Sequence, residues 1–212
     1  MDEGRDTKER LLDAAEQLFA RQGYHNTSLR AITGEAAANL AAVNYHFGSK
    51  EGLMGAVVER RLVPLNALRV QRLDAAAATA KREERPPLVA ELLLAFVDPT
   101  LKFKESSRGA RNFITLIGRA ISDPADPVRG KFIAMIGPVL ARLFALLREA
   151  LPEIPPYVLQ LRLFFAISSL AHAMMMDESW PSLAENIPLR HDAQTLVAQL
   201  VPFLTAGMEA RL

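Results

Sequence analysis

Apolar residues return along most of this chain at intervals of three, four and seven, the spacing that gathers them on one side of a helix. From Thr7 to Arg21, Leu11, Leu12, Ala15, Leu18 and Phe19 share a face, while Glu9, Asp13, Glu16 and Gln17 fall mostly elsewhere. Gly23 is placed to cap that helix at its C-terminus. Thr27 and Ser28 offer hydroxyls to cap a second helix carrying Leu29, Ile32 and Ala36, and Asn39 caps a third, very short one through about Tyr45. Packed together, these elements bury Leu11, Leu18, Phe19, Ile32, Val43 and Phe47. Their lengths and turns have helix-turn-helix spacing. After Gly48, Ser49-Lys50-Glu51 opens a longer helix with Leu53, Val57, Val58 and Leu62, which Pro64 is expected to kink or break.

Between Lys81 and Pro87 the chain is charged and then doubly proline, which reads as a loop. Five longer helical patterns follow: Leu88 to Lys104, Ser107 to Ile121, Val128 to Leu151, Pro156 to Met176, and Leu189 to Met208. Pro124 and Pro127, then Pro152, Pro155 and Pro156, then Pro181 and Pro188 punctuate them. No clean alternation of β-branched and polar residues marks a strand. The alanine-rich Ala75 to Ala80 reads as helix with little packing. The expected fold is all-α: a helix-turn-helix domain over 1–50, a connector helix from about 49 to 80, and a helical bundle within 51–212.

Composition narrows the chemistry. The chain has 212 residues, half of them apolar, which fits a globular protein of one or two domains. Its 25 basic and 24 acidic residues supply no large field for nonspecific binding to nucleic acid or membrane. With no cysteine there are no disulfides, thiolate metal sites or Cys nucleophiles, which fits a reducing, cytoplasmic setting. The polar N-terminus lacks a signal-peptide pattern. The richest apolar runs, Phe132 to Ala141 and Leu163 to Met176, are closed by Arg142, Arg162 and Asp177 and fall short of the roughly 18 to 20 residues of a membrane span. No membrane partner is expected. His25, His46, His172 and His191 lie in separate segments without metal-ligand spacing, so neither a metal nor another cofactor is expected. Enzyme signatures are also missing: there is no phosphate-cradling Gly-rich loop, Gly-x-Ser-x-Gly elbow or His-Glu-x-x-His, and no catalytic residue is assigned.

One stretch carries a function. Ser28 to Glu51, with Tyr45-His46-Phe47 before Ser49-Lys50, the upstream Ala-Glu-Gln-Leu-Phe and the Gly23-Tyr24 corner, resembles the DNA-binding domain of the TetR family of transcriptional regulators. The resemblance covers about Lys8 to Val58 closely and the remaining helical order loosely. In that setting Thr27 and Ser28 are candidate phosphate donors at the start of the second helix. Tyr45 and His46 leave the third helix within reach of phosphate, and Lys50 adds a cation at the start of the fourth. Leu40, Ala41, Ala42 and Asn44 are the candidate base-reading positions, small enough to let the helix sink into a major groove. Arg30 suits either a phosphate or a guanine edge. Each of these residues alone also has an ordinary structural reading as a cap, a buried aromatic or a solvated side chain. Residues 1–50 carry six basic against seven acidic residues, so this unit is no basic arm and needs two copies acting together. The family's turn often has Gly where this chain has Ala37, which must avoid positive φ or accept strain.

The resemblance implies a repressor that binds a double-stranded pseudopalindromic operator as a homodimer and is released by a small effector. Asn39 to Lys50 and the tail Val201 to Met208 are similar to the fatty-acid-responsive branch, implying an apolar or acyl effector, a fatty acid or acyl-CoA. Phe113, Leu116, Ile117, Met135, Phe164, Ser168, His172 and Met175 are candidate ligand contacts. Leu161, Phe165, Leu196, Leu200 and Phe203 are candidate dimer contacts. Both groups fit a packed core equally well by sequence. The competing class is a helical lipid-binding or interaction protein without sequence-specific DNA binding.

Overall fold

The computed structural model describes residues 3–122, 125–176 and 190–211. Pro124, Asp177, Pro181, Pro188 and the expected helix start at Leu189 lie outside them. Among the described residues the chain is helical without strands: α1 (Glu3–Gln22), α2 (Leu29–Glu35), α3 (Leu40–Phe47), α4 (Lys50–Arg82), α5 (Val89–Ser106), α6 (Arg108–Ser122), α7 (Pro127–Ala150), α8 (Pro156–Met175) and α9 (Ala193–Glu209). Pro64 lies inside α4 and does not end it. It is exposed, while Leu62 and Leu65 beside it are buried, so packing outweighs the one backbone hydrogen bond that proline withholds.

Two compact units divide the chain. The first takes residues 1–64 and 107–136, and the second residues 65–106 and 137–212, so the unit holding the three short helices extends well past residue 50. Within the first unit α1 packs on α6, α2 and α3. Leu11, Leu18, Phe19, Ile32 and Val43 are buried together with Tyr24, Leu53 and Val57, and Phe47 is half-buried. Arg119 of α6 donates to the Arg21 carbonyl at 2.8 Å, satisfying an end group of α1.

Glu16 departs from the helical pattern. Expected on the polar side of α1, it is 2 % exposed, and its carboxylate accepts from Arg60 at 2.8 Å and from Arg61 at 2.7 and 2.6 Å. Arg60 also reaches Asp13 at 2.7 Å and Glu9 at 3.4 Å, so one stripe of α1 is fastened to α4 by charge. Gly109 leaves room for this cluster: a Cβ there would lie 2.0 Å from Arg61 Nη2 and 2.8 Å from Glu16 Oε2.

In the second unit α5 is the central helix, buried at every position from Ala95 to Leu101 and packed chiefly on α9. Glu105 accepts from the Ala193 amide at 2.6 Å, tying α5 to the start of α9, and Arg162 donates to the Met208 carbonyl at 2.7 Å. The helices α7 and α8 are longer than the apolar runs visible in sequence. By length and composition alone both are apolar enough to cross a membrane. However, Arg142 on α7 pairs with Asp74 at 2.8 Å and Arg162 sits midway along α8, charges that a bilayer span would have to bury.

Candidate nucleic-acid interface

The turn geometry of α1 to α4 fixes which side chains face outward. Gly23, with φ 80°, closes α1, its amide donating to the Phe19 carbonyl at 2.9 Å. Ser28 caps α2, accepting from the Ala31 amide at 3.1 Å, and Asn39 caps α3, accepting from the Ala42 amide at 2.9 Å. Between them Ala37 takes φ 46°, while the Ala38 amide donates to the Thr33 carbonyl at 2.9 Å. The turn therefore accepts the strain that a glycine would avoid. A left-handed alanine costs about 1–2 kcal/mol, and glycine at this site would forfeit about 0.5–1 kcal/mol through the freer unfolded chain. Ala37→Gly is accordingly expected to raise stability by roughly 0.5–1 kcal/mol, read as a higher urea midpoint at unchanged slope. A lowered midpoint would refute the strain.

This frame turns one side of α3 outward. Leu40 is 47 % exposed and Tyr45 86 %, with Ala41 and Asn44 exposed beside them. Ala42 is half-buried, and Val43 faces the core. Arg30 and Ser28 are exposed on and before α2. Ser28 uses its oxygen as a cap and retains a hydroxyl proton to donate. Thr27 is different from the expectation. It is 1 % exposed, its hydroxyl donates to the Gly23 carbonyl at 2.8 Å and the Leu18 carbonyl at 3.3 Å, and its amide donates to Tyr24. It fastens the turn after α1 and offers no outward donor.

Lys50 is held by residues that carried the sequence resemblance without an assigned role. Its ammonium lies 4.3 Å from the centre of the Tyr24 ring, and the buried Tyr24 hydroxyl donates to Glu51 at 2.7 Å. Burial lowers Lys50 from the ordinary lysine value, with Glu51 pulling the other way. Burial and then donation to Glu51 raise Tyr24, and that same hydroxyl is the main cause holding Glu51 low. His46, half-buried with its ring 4.9 Å from that of Tyr45, lines a cleft with Lys8, Glu51, Glu59 and Lys131. Gly48, with φ 74°, ends α3, and Ser49 caps α4 by accepting from the Gly52 amide at 3.0 Å. Gly52 was not singled out in sequence. A Cβ there would lie 2.0 Å from the Phe47 carbonyl oxygen, so only glycine lets the end of α3 approach the first turn of α4 this closely.

The candidate ligand contacts fall in both units. Phe113, Leu116 and Ile117 on α6 are buried in the first unit, with Met135 of α7 half-buried there. Phe164, Ser168, His172 and Met175 lie on α8 in the second unit and are exposed. Helical spacing identified apolar faces but not the unit each face packs into. Ser168 and His172 instead line an open groove with three of the candidate dimer contacts, Leu196, Leu200 and Phe203. The outer face of α8 and α9 is apolar and uncovered in the single chain: Leu161 is 51 %, Phe165 66 % and Phe203 69 % exposed. Among the described residues no group of His, Cys, Asp and Glu is arranged to hold a metal ion.

Comparison with known proteins agrees with the geometry of both units. Residues 11–57 match the family described as bacterial regulatory proteins, tetR family, and residues 94–207 match the tetracyclin repressor-like C-terminal domain. The chain is 36 % identical over 56 residues to the HTH-type transcriptional regulator UidR of Escherichia coli (strain K12), a stretch covering 26 % of this chain and 29 % of UidR. It is 42 % identical over 60 residues to the HTH-type nicotine-responsive transcriptional repressor HdnoR of Paenarthrobacter nicotinovorans, covering 28 % and 31 %. The matched stretch thus spans less than a third of these curated relatives. Over nearly its whole length the fold is similar to the transcriptional regulator FadR of Bacillus subtilis, solved in complex with stearoyl-CoA, at 14 % identity, 94 % and 98 % coverage and a TM-score of 0.68.

Proposed function

The chain belongs to the TetR family of bacterial regulatory proteins, and from that premise we propose that it is a repressor that binds a pseudopalindromic operator as a homodimer and is released by an apolar or acyl effector. The carrying observation is the outward row of Leu40, Ala41, Asn44 and Tyr45 on α3, flanked by Ser28, Arg30 and Lys50. Small exposed side chains let a helix enter a major groove. There Asn44 suits adenine, the apolar groups suit thymine methyls, and the flanking donors set the register on phosphate. The uncovered apolar face of Leu161, Phe165 and Phe203 supports pairing of two copies, which makes up for the acidic balance of the reading unit. HdnoR is named a repressor, and the FadR structure holds stearoyl-CoA. Both support, by likeness, the sign of regulation and the effector class.

Duplex DNA selected from a random-sequence library by the purified chain tests the reading. One dimer is expected per duplex, and the logarithm of affinity is expected to fall linearly with the logarithm of salt. Tyr45→Ala and Lys50→Ala should each weaken binding about tenfold, or about 1.4 kcal/mol, with unchanged helicity. Losing Lys50 should also flatten the salt slope by about one per protomer. Selection that enriches no sequence, or variants that bind like the parent, would favour a lipid-binding protein that keeps α1 to α3 as a scaffold.

A further inference from the structure

We infer that the second unit contains a buried anion-binding site centred on Arg69, and that the effector taken there carries a carboxylate. This deepens the effector reading above and rests on it for its regulatory meaning.

Arg69 lies on α4 with 4 % of its surface exposed, among the most deeply buried charges of the described residues. Its Nε and Nη2 donate to Thr100 Oγ1 at 3.1 and 2.8 Å, its Nη1 donates to Asn66 Oδ1 at 2.8 Å, and its guanidinium stacks 4.6 Å from the centre of the Phe96 ring. Every one of these partners is neutral. The Thr100 hydroxyl donates its own proton to the Phe96 carbonyl at 2.6 Å, so it serves Arg69 only as an acceptor. A guanidinium presents five N–H donors in a planar fork, of which these contacts occupy three.

The neighbourhood is rich in cations as well. One turn further along α4, Arg72 donates to Asp98, which also pairs with Lys102 at 2.7 Å. Arg72 and Lys102 thus already hold that carboxylate, and among the described residues no carboxylate forms an ion pair with Arg69. Burial alone pushes Arg69 down to about 9, the signature of a charge without a compensating anion. Buried charges in folded proteins are paired, and a bidentate carboxylate is the anion whose geometry matches the guanidinium fork. The apolar setting, with Phe96 against the guanidinium plane, suits a monoanion on an apolar body better than a phosphate dianion with its larger desolvation penalty.

Calorimetric titration of the full chain with dodecanoate, dodecyl phosphate and dodecanol tests the site, alongside Arg69→Met, which removes the charge, and Arg69→Lys, which keeps the charge but loses the fork. Dodecanoate is expected to bind at least tenfold more tightly than dodecanol and more tightly than dodecyl phosphate. That preference should vanish in Arg69→Met and weaken in Arg69→Lys. Equal binding of acid and alcohol, no binding of dodecanoate, preference for the phosphate, or a preference kept in either variant at parental strength overturns the proposal. Should Arg69→Met not fold, Arg69→Lys decides. Duplex binding by the same proteins separates this proposal from the regulator reading. Arg69→Met that binds DNA but is no longer released by dodecanoate supports both. A parent chain that takes dodecanoate through Arg69 yet binds no duplex sinks the regulator reading and leaves the anion site standing.

Discussion

Replacing Glu16 by glutamine is expected to destabilise the protein by about 3–5 kcal/mol, the loss that follows when one member of a buried ion pair is neutralised and its partners are stranded. The carboxylate is 2 % exposed and accepts three close hydrogen bonds from Arg60 and Arg61. Arg60 has Asp13 and Glu9 to fall back on, whereas among the described residues Glu16 is the only carboxylate in ion-pair contact with Arg61, Asp13 and Glu9 acting on it from further away. Hydrogen bonding to Glu16 is also the main cause that raises Arg61 above the ordinary arginine value, the mark of a cation stabilised by this partner. In the variant an amide supplies one acceptor to two guanidiniums, with its own N–H donors turned towards further donors. At roughly 2–4 °C per kcal/mol for a chain of this size, the melting temperature should fall by about 6–20 °C at fixed protein concentration. Asp13→Asn is the control. Asp13 is 71 % exposed at its side chain, and an exposed pair is worth less than about 1 kcal/mol. Equal small shifts in the two variants would show that the buried cluster contributes nothing beyond surface charge.

Glu16 also marks where sequence reading stops. Helical periodicity located nearly every element, because burying one stripe of a helix leaves a 3.6-residue signature whatever the stripe packs against. The segments expected at Leu88 to Lys104, Val128 to Leu151 and Pro156 to Met176 differ from α5, α7 and α8 by a few residues at most. Periodicity puts Glu16 with the polar residues because it ranks side chains by hydrophobicity and is blind to a distant arginine pair that makes burial of charge tolerable. Pro64 does not end α4 for a related reason: the burial of Leu62 and Leu65 that carries the helix through it is tertiary and has no local signal. In the DNA-facing unit the outward α3 row and the Ser28 and Asn39 caps were legible from local pattern and resemblance. The inward turn of Thr27 was not, since a hydroxyl before a helix reads alike whether it caps or clasps the preceding turn. For the candidate ligand residues, apolar spacing gives a face and never its partner. Arg69 gave no sequence signal at all, standing in a helix where a lone arginine ordinarily points to water.

Gly52→Ala should do more harm to DNA binding than removal of any single contact. On propensity alone the change favours α4, since alanine is better than glycine within a helix by about 1 kcal/mol. The space for a Cβ is absent, however. It would fall 2.0 Å from the Phe47 carbonyl oxygen and 3.2 Å from its carbon, and both atoms belong to backbone that no rotamer change can move. The end of α3 must therefore retreat from the first turn of α4, which costs about 1–3 kcal/mol as overpacking does elsewhere. The same retreat shifts Tyr45 and His46 relative to Lys50, whose ammonium stays bound over Tyr24. If these side chains contact phosphate as proposed, they act together, and displacing them as a group should lower affinity for the selected duplex by more than tenfold, the effect of over about 1.4 kcal/mol. Gly55, one turn on, provides the contrast. A Cβ there meets only Lys131 Cε at 3.9 Å, an ordinary contact. Gly55→Ala should then follow propensity, leaving DNA affinity unchanged and stability equal or higher. Fluorescence anisotropy with labelled duplex and urea unfolding of both variants give the comparison. If Gly52→Ala binds DNA and resists urea as Gly55→Ala does, the close approach of α3 to α4 is not what positions the reading helix.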